Sequence, residues 1–139
     1  MDTIALRNQL LQAKNSRHFV SEAKSIVDSL KKEGAGLESV TVILKFMEEH
    51  PAFDFGAPGP LAHFVEKFHL RGYETELLAS IARRPTVATL SLLNVLINGT
   101  KKEADRERFI DVFRQVESHS LADDEMKRLA GNYLQSLSS

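Results

Sequence analysis

Apolar residues recur along this chain at spacings of three and four, the mark of one buried stripe per helix, and no stretch reads convincingly as a strand. The first stripe predicts a helix over about 3–14, with Asp2 or Thr3 as its N-cap. Asn15 and Ser16 break the pattern, and Ser16 is placed to cap the next segment. The second helix aligns Val20, Ala23, Ile26, Val27 and Leu30. It stops at the run KKEGAG, where lysines meet the negative end of the helix dipole and Gly34 suits the left-handed position past the last turn. A third helix over roughly 37–49 carries Leu37, Val40, Ile43, Leu44 and Met47. Pro51 bars its continuation, because a residue before proline, here His50, is pushed toward extended backbone.

The stretch HPAFDFGAPGPLAHFVEKF, residues 50–68, breaks the regularity: two Phe flank an Asp, and a Pro/Gly run follows before a helix starts again. Gly59 and Pro60 read as the N-cap and first residue of a fourth helix, which turns Leu61, Phe64, Val65 and Phe68 inward and His63, Glu66 and Lys67 outward. After RGY, a short fifth helix sets Tyr73, Leu77, Leu78 and Ile81 inward, and Pro85 ends it. The sixth, about 86–98, has Val87, Leu90, Leu93 and Ile97 on its apolar face and a neutral stripe of Ser91, Asn94 and Asn98. TKKE, residues 100–103, reads as a capping box opening a seventh helix that buries Phe109, Ile110, Phe113 and Val116. The acids of SHSLADDE fall in the first turn of an eighth helix, which buries Met126, Leu129, Ala130, Tyr133 and Leu137.

Eight short helices with brief connections make an all-α chain, and none is long enough for a four-helix bundle of this mass. Successive pairs at 3–33, 37–68, 73–98 and 102–137 predict stacked antiparallel hairpins, as a HEAT-like solenoid or a compact helical array without a fixed sequence repeat. At 139 residues the chain is expected to form a single helical domain, 1–139.

Composition narrows the chemistry. The chain has no Cys, so it has neither a disulfide framework nor a thiolate metal site, which accords with a reducing cytoplasm. MDTIALRNQLLQAKN has no basic region followed by an apolar run, and TVATLSLLNVLI is too short to span a membrane, so a cytoplasmic location is expected. A net charge of −1 argues against bulk nucleic-acid binding. The charge is unevenly spread: over 48–76 six acids (Glu48, Glu49, Asp54, Glu66, Glu74, Glu76) face two bases, a local net of −4. Over 77–108 six bases face three acids, a local net of +3. Such segments are either solvated faces or docking surfaces for a partner of opposite sign.

No catalytic signature appears. His63 and His69 lie six apart, not the four that stacks two ligands on a helix. G-x-S-x-G, Walker and G-x-G-x-x-G patterns are absent, and Pro58 removes an amide from the one glycine-rich loop, FGAPG. Glu48/Glu49 and Asp123/Asp124 are sequence neighbours and point apart on a helix. The expectation is a non-enzyme with no cofactor and no metal. A small hydrolase using His63, His69 or Glu66 is the least favoured class. The elbow itself admits two readings. Phe53 and Phe55 plug a gap between helical pairs while Asp54 caps a turn, or one ring anchors the loop and the other stays exposed while Asp54 meets a cation.

FDFGAPGPLAHFVEKF followed by YETELLASIARRPTVATLSLLNVLINGT resembles the small all-helical, HEAT-like immunity proteins of bacterial contact-dependent inhibition and other polymorphic toxin systems. The likeness rests on an F-D-F-G-x-P-G-P-L elbow, a helix, and a segment from RRPT to LLNVLINGT, and it covers residues 53–100. It implies a non-enzymatic antidote that binds one toxin domain tightly in the cytoplasm, the toxin commonly being a nuclease with a basic substrate site. The acidic and aromatic residues Glu48, Glu49, Asp54, Phe55, His63, Glu66, Glu74 and Glu76 are the expected contact set, with Asn94 and Asn98 as second choices. The chain is expected to be a monomer on its own, with no direct contact to nucleic acid or membrane. The alternative is a general helical adaptor.

Overall fold

A computed structural model describes residues 1–56 and 59–138 of the chain. Every regular element among them is a helix: α1 (Thr3–Lys14), α2 (Phe19–Glu33), α3 (Leu37–Glu49), α4 (Gly59–Glu66), α5 (Tyr73–Arg83), α6 (Val87–Gly99), α7 (Glu103–Val116) and α8 (Asp124–Leu137). The all-α fold and most of the helix ends follow the sequence pattern. Asp2 caps α1 by accepting the Ala5 amide, Gly34 closes α2 at φ 67°, and Asp123 caps α8 through the Met126 amide. Pro58, which would interrupt a phosphate-cradling loop, lies outside the described residues.

Several local expectations are corrected. Val20 and Val87 are exposed rather than inward. The buried stripe of α2 continues from Ala23 back to Phe19, and that of α6 from Leu90 back to Thr86, so each valine sits one step out of phase. Ser16 does not cap α2. Its hydroxyl donates to the Ala13 carbonyl at 2.8 Å and accepts the His18 amide at 3.2 Å, so it closes the α1–α2 turn. TKKE forms no capping box. The Thr100 hydroxyl donates back to the Leu96 carbonyl at 2.6 Å, and Lys102 stands at the start of α7 with no side-chain capping bond. The capping box belongs to α6, where Thr86 accepts the Thr89 amide at 3.1 Å and Thr89 accepts the Thr86 amide at 3.2 Å, both residues fully buried. Leu78, Leu129, Tyr133 and Leu137 are half-buried.

The chain divides into two compact units, Met1–Glu76 and Leu77–Ser139, with the boundary inside α5. In the first unit α1 packs on α2, and this pair stacks on the next, α1 against α3 and α2 against α4. Leu6, Leu10, Leu30, Ile43, Leu44 and Leu61 form the centre of its core. In the second unit α7 packs on α8 and α6 rests on both. Phe113 stacks on Tyr133 there with centroids 5.0 Å apart. His119 ties the α7–α8 turn to the end of α5: its Nε2–H donates to the Ala82 carbonyl at 2.7 Å and its Nδ1 accepts the Leu121 amide at 3.0 Å. Among the described residues no helix is long and apolar enough to cross a membrane.

The two candidate caps separate by experiment. Thr86→Ala is expected to cost about 1–2 kcal/mol, and Glu103→Ala less than about 0.5 kcal/mol, as read from urea unfolding of the full chain.

Candidate functional site

The elbow is built around four phenylalanine rings. Phe55 is only 8% exposed and meets Phe53 at 5.0 Å, Phe46 of α3 at 5.8 Å and Phe19 of α2 at 5.9 Å, each edge to face. Phe53 also meets Phe19 at 4.8 Å but stays half-buried, with the Lys14 ammonium 5.5 Å from its ring centre. Between the two rings Asp54 is exposed, and its carboxylate accepts the Gly56 amide at 2.9 Å, which makes an Asx turn. Gly56 sits at φ 76°, and a Cβ there would lie 2.9 Å from a Val20 methyl, so the turn needs glycine on both counts.

The remaining members of the expected contact set scatter into different roles. Glu48 is 9% exposed because it lies one turn after Leu44 on the buried stripe of α3, and it and Phe55 therefore belong to the interior rather than the surface. Glu49 is exposed and paired with Arg7 of α1 at 2.5 Å. Glu74 accepts the Leu70 amide at 2.5 Å and lies 3.4 Å from His69 Nε2, which locks the α4–α5 turn. Glu76 accepts the Thr41 hydroxyl at 3.1 Å and so fastens α5 to α3. Glu66 is half-buried, and burial raises its pKa against the opposing pull of His63, which is exposed. Asn94, half-buried, and Asn98, exposed, lie on α6 in the second unit.

Three features of the first unit are not visible in the sequence pattern. The Tyr73 hydroxyl is buried without a hydrogen-bond partner, and burial together with Glu66 and Glu74 pushes its pKa well above the usual tyrosine range. His50 Nε2 is likewise buried and unpartnered, with the ring 4.7 Å from Phe46. Leu70 is the one non-glycine residue at positive φ among those described, at 64°, and it is 84% exposed. A leucine beside Arg71 and Gly72 carries no turn signal of its own, so only the backbone reveals it.

Among the described residues no group of three or more His, Asp or Glu side chains is arranged to hold a metal ion. A cleft of about 360 Å³ between α7 and α8 is lined by Arg106, Glu107, Ile110, Arg114, Leu134 and Leu137 among others. Arg114 there is shared by Glu107 and Asp111 at 3.4 Å each. Compared with protein-family models, characterised proteins and solved structures, the chain gives no significant match.

Two outcomes are expected. Removing an unbonded buried hydroxyl is close to neutral, so Tyr73→Phe is expected to leave stability within about 0.5 kcal/mol of the parent or above it. Burial and the nearby Lys14 and Arg7 hold His50 below the ordinary histidine range, with Glu49 opposing. The unfolded chain therefore takes up this proton first as pH falls. The resulting stability is complete above the ordinary histidine pKa and declines as pH drops through the lowered folded value. Urea unfolding at pH 7.5 and 5.5 is expected to show a smaller acid loss for His50→Gln than for the parent.

Proposed function

We propose that this protein is an immunity protein, a non-catalytic inhibitor that binds one toxin domain in the cytoplasm, the toxin being a nuclease with a basic substrate cleft. The family likeness over residues 53–100 supports the reading, and the observation that carries it is the Asp54 turn. A carboxylate held at the surface by its own backbone bond, on a loop whose neighbouring ring Phe55 is locked in the core, needs little further ordering to meet a cation. The half-buried Phe53 beside it supplies apolar contact of the kind that interface centres use.

The contact set of this reading is Phe53, Asp54, Glu49 and His63. Glu49 contributes less per charge because it already pairs with Arg7. Glu66 is half-buried and burial raises its pKa, so less of its carboxylate is open to a partner. Opposite charge on the cleft speeds encounter, while the aromatic contact governs release. The interface needs roughly 800 Å² from each partner.

The test uses the full chain as bait in extracts of the producing bacterium, followed by titration of the captured toxin domain. Asp54→Lys is expected to weaken binding at least tenfold with an unchanged circular-dichroism melt. Unchanged affinity for both Asp54→Lys and Glu49→Lys removes the elbow from the interface. Failure to capture any toxin-bearing protein, under conditions where the toxin is made, removes the reading.

A further inference from the structure

Helix α6 is the one helix among the described residues that contains no Asp, Glu, Lys or Arg, in a chain that is 27% charged. Its inner side is committed: Thr89, Leu90, Leu93 and Ile97 are essentially inaccessible, and Leu92 and Leu96 are nearly so. Its outer side is uncharged but mixed, two valines set among Ser91, Asn94 and Asn98. Val87 is 46% exposed and Val95 is 51% exposed, with Ser91 exposed between them. At 100° per residue, Val87, Ser91, Asn94, Val95 and Asn98 occupy a single arc about 100° wide. Every other helix among the described residues carries charged side chains.

The charges that α6 lacks stand at its two ends. Arg84 precedes it, and Lys101 and Lys102 follow it, all exposed, with the exposed Glu103 next in the chain, so each end carries a net positive charge. The face is therefore an uncharged strip roughly 20 Å long between two cationic rims. Depletion of charge at the centre with polar residues at the edge is the composition of an interface core and rim.

We infer that the outer face of α6, from Arg84 to Lys102, docks a protein surface whose centre is apolar and whose two ends carry carboxylates. Charge complementarity selects this occupant. A second copy of the chain is disfavoured, because antiparallel pairing of two such strips sets Arg84 against the partner's lysines and parallel pairing sets Arg84 against itself. The strip's five side chains are also few beside the roughly 20–30 residues a side of a stable interface, so it forms the uncharged centre of a contact whose rim is the lysines and arginine. Nucleic acid would use the basic ends but leave both valines unpaired. The surface lies wholly in the second unit and stands whether or not the toxin reading holds.

The probe is a synthetic 18-residue amphipathic helical peptide, about 27 Å long, with a leucine/alanine face and glutamates at both ends. A lysine-ended version serves as its counterpart. Each is titrated into the ¹⁵N-labelled full chain. The glutamate-ended peptide is expected to give saturable amide shifts confined to residues 84–102 and to bind at least tenfold more tightly than the lysine-ended one. Val95→Glu is expected to weaken it at least tenfold with an unchanged thermal midpoint, and Arg84→Glu, outside the helix, to erase the preference between peptides. Equal affinities, shifts centred elsewhere, or no saturable binding of either peptide would overturn the inference. So would a dimer in sedimentation that Val95→Glu dissolves, or a 20-nucleotide single-stranded RNA that moves the same amides.

Discussion

Edge-to-face packing of four phenylalanines holds the first unit's least regular segment in place. Phe19 begins α2, Phe46 lies on α3, and Phe53 and Phe55 come from the elbow between α3 and α4, with neighbouring centroids 4.8–5.9 Å apart. The elbow's described residues, 50–56, form no helix or strand, so these rings fix where they sit. The Asx turn at Asp54 and the glycine demanded at position 56 follow from that placement. Any contact the elbow makes with a partner inherits its geometry from this cluster.

The cluster also divides labour between two residues that the sequence treats alike. Phe53 and Phe55 are equivalent in pattern, each beside Asp54. The structure buries Phe55 and leaves Phe53 half-buried under a lysine. Of the two readings of the elbow, turn-capping by Asp54 and ring-filling by Phe55 are both visible, and they leave the carboxylate exposed rather than consuming it.

Helix number, order and most termini were legible because apolar period, proline and glycine act locally. Phase errors arose where a stripe ended. Val20 and Val87 look like core residues, but Phe19 and Thr86, one position earlier, hold the in-phase places. The capping box shows the limit of a motif. Thr100 has the right successor at Glu103, yet a nearer acceptor, the Leu96 carbonyl, takes its hydroxyl. The contact set was less legible than the fold, because a surface acid and a tertiary fastener have the same letter. Glu74 and Glu76 stand two apart in a run of acids, and only three-dimensional neighbours reveal that one locks a turn and the other ties two helices. The uncharged outer face of α6 was partly visible as the Ser91, Asn94 and Asn98 stripe. Its two exposed valines, Val87 and Val95, were not, because the apolar period assigns Val87 to the core.

Leu70 carries a consequence for how this sequence can change over time. A left-handed leucine costs about 1 kcal/mol relative to glycine, and its side chain is 84% exposed, so the fold recovers little by burying it. Glu74 holds the turn through the Leu70 amide, which any amino acid except proline supplies. Under selection for folding alone, drift at position 70 therefore runs toward glycine or asparagine. A bulky apolar residue kept there is retained at a cost to the fold.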